Sequence, residues 1–140
     1  MGARYRNVDL EIRSQSDLGS LRDGLGESVD VLYCGETEPE SGTFLLSVEL
    51  SGCGISCATD AENTADATVI ALCNLVDGLT DTARDAWNNA QDRMFDIGFD
   101  ADAGDARVGQ PLLSVEAISQ VARIGARLAL SVYMPNNTVG

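Results

Sequence analysis

The chain contains no histidine and no lysine; all nine of its basic residues are arginine. Without histidine there is no imidazole general base, no Ser-His-Asp or Cys-His nucleophile system and no histidine-ligated metal. Without lysine there is no Schiff base and no phosphate-loop lysine. Positive charge is scarce as well: 22 acidic residues outweigh the nine arginines, giving a net charge of −13 and a pI near 4.1. That balance argues against binding nucleic acid, whose phosphates require a basic surface, and against anionic membranes. The opening MGARYRNVDLEIRS holds no apolar run of signal-peptide length. No stretch approaches the roughly 18 apolar residues of a membrane span. The expected compartment is therefore the cytoplasm.

What is present suits one folded domain covering residues 1–140. Hydrophobic residues make up 44% of the 140, enough for a core, so the charge does not signal wholesale disorder. The four cysteines, Cys34, Cys53, Cys57 and Cys73, are expected as reduced thiols. Cys53 and Cys57 have three residues between them, where zinc knuckles and redox motifs have two. Cys73 falls on an apolar helical stripe and Cys34 ends a strand-like run, which points to packing rather than to metal. No metal and no cofactor are expected.

Hydrophobic periodicity lays out the elements. Asn7 to Arg13 alternates strictly between apolar and polar residues, the period of a strand with one buried face. Ser16 and Asp17 can start a helix carrying Leu18, Leu21 and Leu25, stopped by Gly26. Val29 to Tyr33 reads as a second strand, followed by an acidic turn over 35–42. Thr43 to Leu50 reads as a third strand, with Phe44, Leu46, Val48 and Leu50 on one side. A Gly- and Ser-rich loop over 51–63 precedes a helix capped by Thr64, with Val69, Leu72, Cys73, Val76 and Leu79 on its stripe. A short helix from Thr80 to about Asn89 carries Trp87. Met94 to Asp100 returns to a strand with Phe95, Ile97 and Phe99 on one face, and an acidic loop follows to Gln110. Ser114 caps a helix with Val115, Ile118 and Ala122 expected inward, stopped by Gly125. Arg127 to Met134 is the last strand, with Leu128, Leu130, Val132 and Met134 facing one way, before a frayed PNNTVG tail.

The resulting order, β-α-β-β-α-(α)-β-α-β, predicts an α+β domain. Its mostly antiparallel sheet carries helices on one face, as a ferredoxin-like split β-α-β core plus a C-terminal helix-strand unit. The other face is expected to hold Asp9, Glu11 and Arg13; Leu45, Ser47 and Glu49; Asp96, Gly98 and Asp100; and Arg127, Ser131 and Tyr133.

The second half, Arg93-Met94-Phe95-Asp96-Ile97-Gly98-Phe99-Asp100 and then Leu113 to Ile118 through Ile124 to Tyr133, resembles a family of small bacterial proteins of unknown function. In that family an "fdig-f" strand is followed by "ls-e-i--ia-lGa-L-ls-Y". The earlier strand, and the helix ending in Leu-Gly before an acidic turn, are similar too. Family members look like immunity proteins encoded beside secreted polymorphic toxins. The resemblance implies an antitoxin of bacterial competition that binds a cognate protein toxin with a basic surface, and it supplies no catalytic residue. This chain departs from the family in having no lysine and fewer aromatics.

Three constellations bear on that expectation. Asp96, Asp100, Asp102 and Asp105 invite a calcium loop, but an EF-hand begun at Asp100 puts Gly104 fifth and Pro111 twelfth, where ligands belong. A solvated turn or an acidic patch that docks a basic partner fits better. Trp87 sits in a polar segment, either as an interface anchor or folded back over the core edge. The pairs Asp9/Glu11 and Asp100/Asp102 have strand-type spacing and so share a face, usually an exposed sheet surface rather than an acid–base pair. The expected partner-binding residues are Glu11, Glu49, Trp87, Asp96, Asp100, Asp102 and Asp105. The expected function is a non-enzymatic immunity protein acting by stoichiometric binding, with a nuclease or nucleotide-modifying toxin as the candidate target. The alternative is a small-molecule-sensing or regulatory domain without catalysis.

Overall fold

The computed structural model describes residues 4–51, 65–100 and 113–133. Among the described residues, five strands and four α-helices follow one another as β1 (Arg4–Ser14), α1 (Gly19–Leu25), β2 (Val29–Glu36), β3 (Phe44–Leu50), α2 (Ala65–Asp77), α3 (Asp81–Asn89), β4 (Asp92–Asp100), α4 (Val115–Arg123) and β5 (Arg127–Tyr133). The strands form one sheet in the order β2-β3-β1-β4-β5. β1 runs antiparallel to both β3 and β4, β2 antiparallel to β3, and β5 parallel to β4. This is the split β-α-β core with a helix-strand unit added at its end. The Thr64 cap, Cys53, Cys57, Met134, the PNNTVG tail and most of the 51–63 and 100–110 loops lie outside the described residues.

Alternation in the central strands decides which face is buried. Val8, Leu10 and Ile12 of β1, Leu46 and Val48 of β3, and Phe95, Ile97 and Phe99 of β4 all point under the helices and are buried. They meet Leu21 and Leu25 of α1, Val69, Leu72, Cys73 and Val76 of α2, and Ala83 and Trp87 of α3 in one core. α1 and α3 approach so closely that a Cβ on Gly24 would stand 2.4 Å from that of Ala83. Gly26 and Gly125 end α1 and α4 with positive φ, 69° and 77°, a conformation that glycine adopts without steric cost. Ser114 caps α4 as its sequence position suggests, accepting from the Ala117 N–H at 3.1 Å.

Two expectations about the C-terminal unit change. Val115, Ile118 and Ala122 of α4 do not face inward: all three are exposed, and Ala117 and Val121 are buried in their place. The two stripes lie roughly 100–160° apart around the helix. The rotation is fixed at both ends of α4, where Asp66 of α2 accepts from the Ser114 N–H and Arg123 grips Asp77 of α2 bidentately at 2.7 and 2.8 Å. Small Ala117 lets α4 close on α2. β5 is the second case. Leu128, Leu130 and Val132 share one face, in register with buried Phe95, Ile97 and Phe99, yet all three remain exposed. α4 packs toward α2, and no described helix covers this edge of the sheet.

Trp87 is 2% exposed and so lies in the core, not at a surface where it could anchor a partner. The polar segment around it is amphipathic, and the indole folds inward because its N–H finds the Ile124 carbonyl at 3.0 Å. The Arg93 guanidinium sits 5.7 Å from the ring centroid and donates to the Trp87 carbonyl at 2.7 Å and to the Gly125 carbonyl at 3.1 Å. Replacing this ring opens a cavity between α3 and the turn after α4. Trp87→Ala is therefore expected to lower unfolding free energy by about 3–5 kcal/mol, and Trp87→Phe by about 1–2 kcal/mol through the orphaned carbonyl. Chemical denaturation of both variants measures the difference.

Candidate functional site: the open sheet face

The residues that alternate with the core positions emerge on the opposite face, which no described helix covers. Strand register lines up four of them. Asp30 on β2 stands opposite Glu49 on β3, Glu49 opposite Asp9 on β1, and Asp9 opposite Asp96 on β4. At the spacing of neighbouring strands, these four carboxylates form a row about 14 Å long across the sheet. Ala129 of β5 continues the row without charge. Glu11 belongs to the next row, flanked by Ser47 on β3 and Met94 on β4.

Like charges directly opposite one another on adjacent strands destabilise a sheet. Short donors hold the carboxylates in place without neutralising them. The Asn7 amide donates to Asp9 at 3.2 Å, the Ser131 hydroxyl to Asp96 at 2.7 Å, and the Ser51 hydroxyl to Asp30 at 3.0 Å. Arginines whose side chains are described are engaged elsewhere. Arg84 donates to the Asp77 carbonyl at 2.6 Å, Arg93 to carbonyls around Trp87, Arg123 pairs with Asp77, and Arg127 with Asp92 at 2.7 Å. Arg13 comes within 4.0 Å of Glu11, one row away.

The crowding shows in the middle of the row. Partial burial, then the charges of Glu49, Asp96 and Glu11 and a hydrogen bond with Glu49, raise the Asp9 carboxyl from 3.8 to about 6. Asp9 thus holds its proton well above the usual carboxylate range. By contrast, the arginine partners of Asp77 and Asp92 hold those carboxyls below it.

Of the residues expected to bind a partner, Glu11, Glu49 and Asp96 come together on this face. Asp100 ends β4, while Asp102 and Asp105 lie outside the described residues. Two members of the row, Asp9 in its middle and Asp30 at its β2 end, were not among those expected residues. Asp9 is visible in the alternation of β1, and Asp30 could be found from its place between Val29 and Val31. Cys73 offers little chemistry: it is buried, and desolvation pushes its thiol up to about 11. No group of three or more Cys, Asp or Glu among the described residues is arranged to hold a metal ion, and no described helix is long and apolar enough to cross a membrane. No family model, curated protein or solved structure matches the chain.

Because the folded-state carboxyl of Asp9 is raised, the native chain binds more protons than the unfolded chain between about pH 4 and 6. The contribution of Asp9 to stability is present in full below about pH 4 and is lost as pH rises through 6. Asp9→Asn removes the repulsion and keeps the shape. It is expected to stabilise the protein at pH 8 by on the order of 1 kcal/mol, a value discounted for solvent screening of a half-buried group. The difference should vanish near pH 4. Urea midpoints of the two proteins at both pH values check this.

Proposed function

We propose that the protein is a cytoplasmic, stoichiometric binder of a basic protein partner: an immunity protein, the kind of protein its second half resembles, that neutralises a cognate bacterial toxin. The observation that carries this reading is the row Asp30-Glu49-Asp9-Asp96, four opposed carboxylates on an uncovered face with no arginine ion-paired to any of them among the described residues. Such a row costs stability in the free protein and is relieved when a cationic surface docks on it. The resulting negative field steers a basic partner and raises the encounter rate, while a few desolvated contacts set the lifetime of the complex. A toxin with a basic cleft, such as a nuclease or a nucleotide-modifying enzyme, has the complementary charge. The absence of histidine and lysine removes the commonest catalytic groups and is consistent with blocking rather than turnover.

One observation favours a second reading. Asp9, raised to about 6 beside Glu49, has the protonation that general acid–base catalysis at neutral pH needs. The two readings differ in stoichiometry: a binder protects a cell mole for mole, an enzyme at far lower amounts.

The test is co-expression with the product of the adjacent reading frame, followed by toxicity, co-purification and association kinetics. The double variant Glu49→Gln/Asp96→Asn is expected to keep the fold and slow association about tenfold at low salt. The deficit should shrink as ionic strength rises, because exposed charges are screened over about 8–10 Å. Association unchanged at every salt concentration would place the interface elsewhere, and protection at substoichiometric amounts would favour the enzyme.

A further inference from the structure

The outer edge of β5 contrasts with the acidic face. β5 is the last strand of the sheet among the described residues, so its backbone pairs with β4 on one side and with no described strand on the other. Its register against β4 runs from Arg127 to Tyr133 without a shift. On its helix-side face, Leu128, Leu130 and Val132 are 42%, 54% and 56% exposed, although the β4 residues beside them are buried. The outer stripe of α4 adds Val115 at 81% and Ile118 at 49%, turned away from α2. β5 contains no acidic residue, and its one charged side chain, Arg127, is held by Asp92. In a chain of net charge −13, this is an apolar, uncharged edge.

The opposite edge of the sheet is different. β2 also exposes Val31, Leu32 and Tyr33. However, its register is broken between Val31 and Tyr33, and Asp30 and Glu36 lie on the same strand. Bulges and charges of this kind protect an edge from further pairing. β5 carries neither.

We propose that β5 pairs with β5 of a second copy of this chain, antiparallel about a two-fold axis at Leu130, giving one ten-stranded sheet. In that register Leu130 faces its own copy, Leu128 faces Val132, and the uncharged Ala129 faces Ser131. A two-fold axis normal to the sheet keeps the helix sides together. The six β5 side chains of the two copies then form one apolar row, flanked by Val115 and Ile118 of both α4 helices. The exposed apolar area is on the order of 500 Å² per copy, so a pair reaches roughly the 1,000 Å² at which specific interfaces begin. Electrostatics selects the same geometry. Two chains of charge −13 repel over most of their surfaces, but here no acidic side chain on β5 meets its copy. The nearest carboxylates of the acidic rows, one Asp96 in each copy, would stand three strand spacings apart, about 14 Å. That exceeds the screening length of about 8 Å at physiological ionic strength.

Sedimentation equilibrium of the whole chain from about 1 to 200 µM tests this, with hydrogen exchange of the β5 amides as an independent readout. The expected result is twice the 14.8 kDa chain mass at the upper end, with β5 amides protected more strongly as concentration rises. Leu130→Lys, at an already half-exposed position, is expected to give a monomer with an unchanged circular dichroism spectrum, and Val31→Lys on the other edge to leave the dimer intact. Four results would overturn the proposal: a monomer throughout; β5 amides protected independently of concentration, as when another part of the chain covers the edge; a dimer that survives Leu130→Lys; or a dimer lost in Val31→Lys.

Discussion

The strict alternation of β1 couples the core to the charged face. Val8, Leu10 and Ile12 can be buried under α2 only if Asp9, Glu11 and Arg13 emerge on the other side. A slip of one residue would bury three charged groups, at a cost far beyond the stability of a domain this size. The register is therefore rigidly specified, and because β1 lies between β3 and β4, it fixes where Glu49 and Asp96 stand as well. The carboxylate row is thus a consequence of the same pattern that builds the core. Its mutual repulsion cannot be relaxed by local adjustment while the helix side remains packed.

With arginine as its sole basic residue, the chain uses planar guanidinium groups as ties between elements. Arg123 joins α4 to α2, Arg127 joins β5 to β4, and Arg93 gathers carbonyls from the end of α3 and the turn after α4. The forked geometry of the side chain suits such sites better than a lysine ammonium would. Arg93 and Arg123 lie on the helix side, while Arg127 and Arg13 reach the open face in rows beside the carboxylate row and leave its four members without an ion pair among the described residues.

Much of the architecture was legible in sequence because it follows local pattern: the strands from period two, the helices from apolar stripes, and the stops from Gly26 and Gly125. The acidic character of the open face followed from the same alternation. What failed was rotation and coverage. The apolar positions of α4 offered two stripes, and the choice of Ala117 and Val121 over Val115 and Ile118 was made by contacts to Asp66 and Asp77, 46 or more residues distant in sequence. The exposure of Leu128, Leu130 and Val132 depends on where α4 settles, which no periodicity records. Trp87 turned inward for a similar reason: its partner, the Ile124 carbonyl, is 37 residues away. Asp30 joined the row through strand pairing, a non-local fact.

The account stands on the claim that the row is crowded with uncompensated negative charge. Following the side-chain carboxyl carbons through a pH titration by NMR measures this directly, because each carboxylate reports its own protonation. The account predicts that Asp9 titrates near 6, well above Asp77 and Asp92, whose arginine partners hold them low, and that it moves to lower pH when a basic partner binds. An Asp9 that titrates at the ordinary value near 4 in the free protein would contradict it.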